Sequence, residues 1–142
     1  MPKEKDSVII TFFACLVGLI IPLFLLPLEK ILPYPYFLEE GFKALIIFMI
    51  IKNIGPKKQN RTVFLFALLF AFSENLFYLN NFIALGLMGS FLQRLLLTTT
   101  LHLLTSFMIL LAGQKKLILF PIGLILAILT HFLYNHFVVI LF

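Results

Sequence analysis

Long apolar runs, separated by short stretches rich in lysine and arginine, constrain this chain more than any other feature. A helix rises about 1.5 Å per residue, so about 20 apolar residues cross the roughly 30 Å hydrocarbon layer of a bilayer. Five such runs can be drawn, at about Val8 to Leu28, Tyr36 to Ile51, Thr62 to Asn80, Gln93 to Ala112 and Leu117 to Leu141. The composition agrees, since 62% of the 142 residues are hydrophobic and only 12% charged, whereas soluble chains carry about a quarter charged. The expected fold is therefore all-α: a polytopic transmembrane helix bundle of five spans forming a single domain. Between the third and fourth runs lies FIALGLMGSF, Phe82 to Phe91, which is apolar but too short to span. Its two glycines predict a short sixth helix or a re-entrant stretch.

The first run follows a charged start, PKEKDS, yet it is longer than a signal-peptide core and lacks a small-residue cleavage site, so it reads as a retained helix. Pro22 and Pro27 predict a kink toward its far end. The single cysteine, Cys15, can form no intrachain disulfide. A net charge of +5 could point to nucleic acid, but the basic residues sit in clusters between apolar runs and line no helix face, which excludes that partner. Lys52, Lys57, Lys58 and Arg61 lie in one connection, and Lys115 and Lys116 in another two crossings later. The positive-inside rule places both in the cytoplasm of a cell bounded by this plasma (inner) membrane. The amino terminus is then inside and the carboxyl terminus outside. Tyr34, Tyr36, Tyr78 and Tyr134 fall near the outer interface, where aromatic belts form.

Ionisable groups inside the runs then share a level. Glu74 is twelve residues above Thr62, roughly 18 Å up its helix. His131 is fourteen residues above Leu117, roughly 21 Å, and His102 descends nine residues from Gln93, roughly 13 Å. Glu39 and Glu40 open the second run just below the outer surface. Each such charge costs about 3 kcal/mol or more at the centre of a lone helix, so a shared level implies partners, a cavity or water. Companions recur at helical spacing: Glu39 and Glu40 with Lys43, Glu74 with Tyr78, Arg94 with Thr98 and His102, and His131 with Asn135. The pattern predicts a polar cavity opening toward the outer leaflet.

The motifs EEGFK (Glu39 to Lys43), SENLFY (Ser73 to Tyr78), RLLLTTTLH (Arg94 to His102) and HFLYN (His131 to Asn135) together resemble, in order, those of the PrsW family of intramembrane proteases. That family is similar, more distantly, to the CAAX prenyl endopeptidases. The resemblance covers about Glu39 to Asn135, leaves the first run without a motif, and meets a chain short for the family. It implies hydrolysis of a peptide bond in a membrane-anchored protein substrate. Glu39 and Glu40 would activate water, Glu74, His102 and His131 would orient it or bind a metal, and Asn135 would contact the oxyanion. Lys43, Asn75, Tyr78 and Arg94 would tune charge and position.

Two chemistries stay open at this point. His102 and His131, with Glu74 or one of the second-helix glutamates, could hold Zn²⁺ with a fourth position for water, although the H-E-x-x-H signature is absent. Alternatively a glutamate activates water with no metal. Other classes also fit the residues. Buried carboxylates and histidines can serve a proton-coupled transporter, and the same cluster could tie together the helices of a catalytically silent scaffold. Glu39, Glu40 and Lys43 alone fit an interfacial helix start, where acids meet the positive end of the helix dipole.

Overall fold

A computed structural model describes residues 4–29 and 31–138. Five α-helices follow one another: α1 Glu4–Glu29, α2 Pro35–Asn53, α3 Pro56–Ala84, α4 Met88–Lys115 and α5 Phe120–Val138, with a single 3₁₀ turn, Leu117–Leu119, leading into the last. Among the described residues there is no strand. Residues 139–141 of the fifth run lie outside the described part. Proline opens α2 and α3, where its missing N–H costs no helical hydrogen bond. Pro22 and Pro27 lie within α1, and neither ends it.

Among the described residues, four helical stretches are long and apolar enough to cross a membrane: Ser7–Leu25, Pro56–Ala84, Met88–Lys115 and Leu117–Phe137. The second helix is not among them, because Glu39, Glu40, Lys43 and Lys52 all fall within its length.

The expected sixth helix or re-entrant stretch at 82–91 does not form. Phe82 to Ala84 complete α3, Met88 to Phe91 begin α4, and the two are joined by a tight turn. Gly86 takes φ +69°, the left-handed conformation that glycine adopts without steric penalty. Gly86 N–H then donates to Ile83 O and Leu87 N–H to Phe82 O, which satisfies carbonyls that the helix end would otherwise leave open. An apolar stretch with glycines can thus be a helix terminus and a turn as readily as a separate element.

Side-chain contacts fix the directions of the helices. Lys58 Nζ donates to Ser7 Oγ, the Thr11 and Thr62 hydroxyls pair at 2.9 Å, and Ser73 Oγ donates to Leu19 O, so α1 and α3 run parallel. Gln114 reaches Gln59 and Asn60 while Arg94 reaches Glu74, so α4 is antiparallel to α3. Thr98 pairs with Tyr134 and Thr130 with Met108, which makes α5 antiparallel to α4. Lys43 meets His102 and Thr105 on α4, and Gln59 meets Ile51 O and Ile54 O at the end of α2. Helices α1, α3 and α5 therefore point one way, and α2 and α4 the other.

The second helix packs against all four others, whereas α3 and α5 make contact only through their neighbours. Ile47, Ile50, Val63, Phe66, Ile109 and Leu110 form a dry core at mid-height. Large apolar side chains cover the outside, among them Phe12, Phe24, Leu45, Leu96 and Ile125. The Gln114 bonds bring the connections bearing Lys57, Lys58, Lys115 and Lys116 to one end. All four tyrosines lie toward the other end, Tyr34 beside Tyr36, Tyr36 beside His131, Tyr78 under Arg94 and Tyr134 against Thr98.

Candidate functional site

Toward the tyrosine end, one polar network links four helices. Lys43, wholly buried at the centre, places its three N–H groups on Glu40 Oε1 at 2.5 Å, Thr105 Oγ1 at 3.0 Å and His102 Nδ1 at 3.0 Å. An ammonium has no lone pair to offer, so Nδ1 of His102 is an acceptor and the ring proton sits on Nε2. That Nε2 lies 2.5 Å from Glu74 Oε2 and donates to it. Glu74 Oε1 in turn faces Arg94 Nη2 at 3.4 Å, and the Arg94 guanidinium stacks 3.8 Å from the centre of the Tyr78 ring.

A second carboxylate–imidazole pair lies on the other side of Lys43. His131 Nδ1 is 2.8 Å from Glu40 Oε1, and since a carboxylate only accepts, Nδ1 carries the proton. Nε2 of the same ring points to Glu39 Oε2 at 3.7 Å. Glu40 thus spends one oxygen on both Lys43 and His131, while its Oε2 is buried and accepts no hydrogen bond among the described residues. Three carboxylates, two cations and two imidazoles thus share one network.

The two imidazole rings meet edge to face, 5.8 Å apart. Burial differs across the network in a way that defines its open side. Glu40, Lys43 and His102 are sealed, whereas the side chains of Glu74 and Arg94 retain 13% and 24% of their exposure. The Glu74–Arg94 edge is thus the more exposed side of the network.

One donor atom each from Glu39, Glu74 and His102 lies within 4.8 Å of the others, so these three could hold a metal ion. This set exchanges His131, expected from the motifs, for Glu39. The reason is local, because the Nδ1 side of His131 is committed to Glu40 and its other nitrogen faces Glu39 alone. Two further features fit a metal poorly. A ligating histidine normally gives its second ring N–H to an acceptor, yet the second nitrogen of His102 faces an ammonium. The Glu74 and His102 atoms nearest each other are also 2.5 Å apart, a hydrogen-bond separation.

Several motif residues stand apart. Asn75 is buried but turns back on its own helix, with Nδ2 donating to Ala71 O at 2.8 Å. Asn135 is half-buried one turn beyond His131 and makes no hydrogen bond among the described residues. Phe70, by contrast, carries no polar signal and still belongs to the site. Its ring lies 5.4 Å from Lys43 Nζ and 5.0 Å from the His102 ring, where it seals the cation from the apolar core. Its one legible clue is its position four residues before Glu74 on the same helix face. Comparison of the chain with protein-family models, curated proteins and solved structures finds no match.

Proposed function

We propose that the chain is a five-span membrane protein, with its lysine-rich end cytoplasmic, that hydrolyses a peptide bond of a membrane-anchored protein in the manner of a PrsW-like protease. One observation carries this reading. One donor atom each from Glu39, Glu74 and His102 lies within 4.8 Å of the others, and His131 Nε2 faces Glu39 at 3.7 Å, so two carboxylates and two imidazoles from four helices converge at one place.

The four glutamate and histidine positions then divide their work. Glu40 is a positioning residue, because both of its hydrogen bonds are spent holding Lys43 and the ring of His131. Glu39 is the base. It removes a proton from a water admitted beside its carboxylate and the His131 ring, and the water oxygen attacks the carbonyl carbon. As the new C–O bond forms and the C–N bond breaks, that proton passes to the leaving nitrogen. The products are a carboxylic acid and an amine, and Glu39 is regenerated. Arg94 and Asn135 lie on the accessible side as donors toward the developing oxyanion. The Glu74–His102 pair, with Lys43 behind it, lies within 4.8 Å of Glu39 and would help to orient that water.

A continuous string of carboxylates and imidazoles also favours proton-coupled transport, but here it stays at one end. Ile47, Ile50, Phe66 and Ile109 fill the path toward the lysine-rich end, with no ionisable side chain among them. Hydrolysis uses a site open on one side; transport needs a path through.

The deciding experiment is cleavage of a membrane-anchored reporter in proteoliposomes. Glu39→Gln is expected to lower the rate by about 100-fold or more. Retention of full cleavage by Glu39→Gln would remove the assignment of the base.

A further inference from the structure

At the opposite end, helices α1 and α3 part to form a groove of about 440 Å³ that takes no part in the network described above. Its geometry follows from one close approach. A Cβ on Gly18 would stand 2.8 Å from Phe66 O, so the two backbones come close there, and below that contact the Thr11–Thr62 and Lys58–Ser7 bonds hold the helices side by side along the groove. Below that contact, Cys15, Phe12 and Val8 on one wall face Leu65 on the other, and the rim is formed by Ser7, Lys58 and Arg61. From the rim at Ser7 to Cys15 is eight residues, about 12 Å of depth.

The groove is therefore amphipathic along its length, cationic at the mouth and apolar within. Lys58 Nζ lies 3.2 Å from Ser7 Oγ, which draws its charge over the opening. Arg61 is exposed and makes no hydrogen bond or ion pair among the described residues. Its planar fork suits a phosphate oxygen pair. A free phosphate would satisfy only the rim and leave Phe12, Cys15 and Leu65 facing an empty slot. A zwitterionic lipid would bring a choline cation to a rim already positive.

We infer that this groove binds an anionic phospholipid, with its phosphate on Arg61 and Lys58 and one acyl chain lying along Phe12, Cys15 and Leu65. Binding of this kind uses charge at the headgroup level and apolar burial beneath it. It is independent of the hydrolase reading, since no residue is shared.

The test uses the whole chain in nanodiscs of phosphatidylcholine with or without phosphatidylglycerol, followed by native mass spectrometry for retained lipid. Selective retention of phosphatidylglycerol is expected, falling roughly fivefold in Arg61→Gln. Lys57→Gln removes an equal charge from the same helix end but outside the groove, and its retention should match the unaltered chain. Cys15 is the sole thiol, so slower maleimide labelling in phosphatidylglycerol discs supplies a second readout. Equal losses in Arg61→Gln and Lys57→Gln would reduce the effect to diffuse surface charge and overturn the proposal. So would equal retention of phosphatidylcholine, or protection of Cys15 by inorganic phosphate alone.

Discussion

His102 gives its Nε2 proton to Glu74 at 2.5 Å while its opposite nitrogen accepts from Lys43, so a single imidazole joins a carboxylate to an ammonium through a buried relay. Double substitution follows directly from that geometry. Glu74→Gln and His102→Gln should each slow reporter cleavage, and the double variant should be little worse than the slower single one. Rates for the four proteins in one cycle measure this coupling, and independent, multiplying losses would show that the two side chains do not act together.

Lys43 has the clearest structural consequence. Replacing it with Met leaves Glu40 buried beside an uncharged neighbour and takes a donor from His102 and Thr105. Removal of one member of a buried pair typically costs about 3–5 kcal/mol. Thermal unfolding in detergent should register a large loss of stability, and Lys43→Met with Glu40→Gln together should recover part of it.

Two glycines predict opposite outcomes for the same change. A Cβ on Gly123 would come within 2.8 Å of Met108 O and 2.7 Å of the Ala112 Cβ, so Gly123→Ala must push α5 from α4. The expected cost is about 1–3 kcal/mol. Gly41 has nothing within 4 Å of such an atom, and Gly41→Ala should be neutral or stabilise by up to about 1 kcal/mol. Detergent melting curves compare the two.

A metal-free mechanism makes its own forecast. Extended dialysis against a strong chelator should leave the cleavage rate unchanged, and elemental analysis of the purified protein should find less than one zinc per chain. A stoichiometric zinc whose removal abolishes cleavage would instead assign Glu39, Glu74 and His102 as its ligands.

Much of the arrangement is legible before any coordinates. Apolar run lengths locate all five helices, and charges spaced three and four apart mark the inward face of α2. Depth along antiparallel helices brings Glu74, His102 and His131 to one level, and their hydrogen bonds meet around Lys43 and Glu40. What stays hidden is rotational. Depth cannot tell Glu39 from Glu40, because adjacent residues differ by about 100° around a helix, so only packing decides that Glu40 bonds Lys43 while Glu39 lies near Glu74 and His102. Asn75 misleads for the same reason, being next to Glu74 in the chain and on a different side of α3. The turn at Gly86 is hidden because apolar composition looks alike in a helix end and in a buried element.

The charges of α2 also bear on how the protein is made. In the membrane placement proposed above, this helix is a poor candidate for entering lipid by itself, since Lys43 meets His102 and Thr105 on α4, and Glu39 and Glu40 meet His131 on α5. The last of those groups, His131, is also the last to leave the ribosome. Biogenesis would then hold α2 near the translocon, or in its company, until the fifth helix has emerged, so that assembly of the polar centre waits on α5.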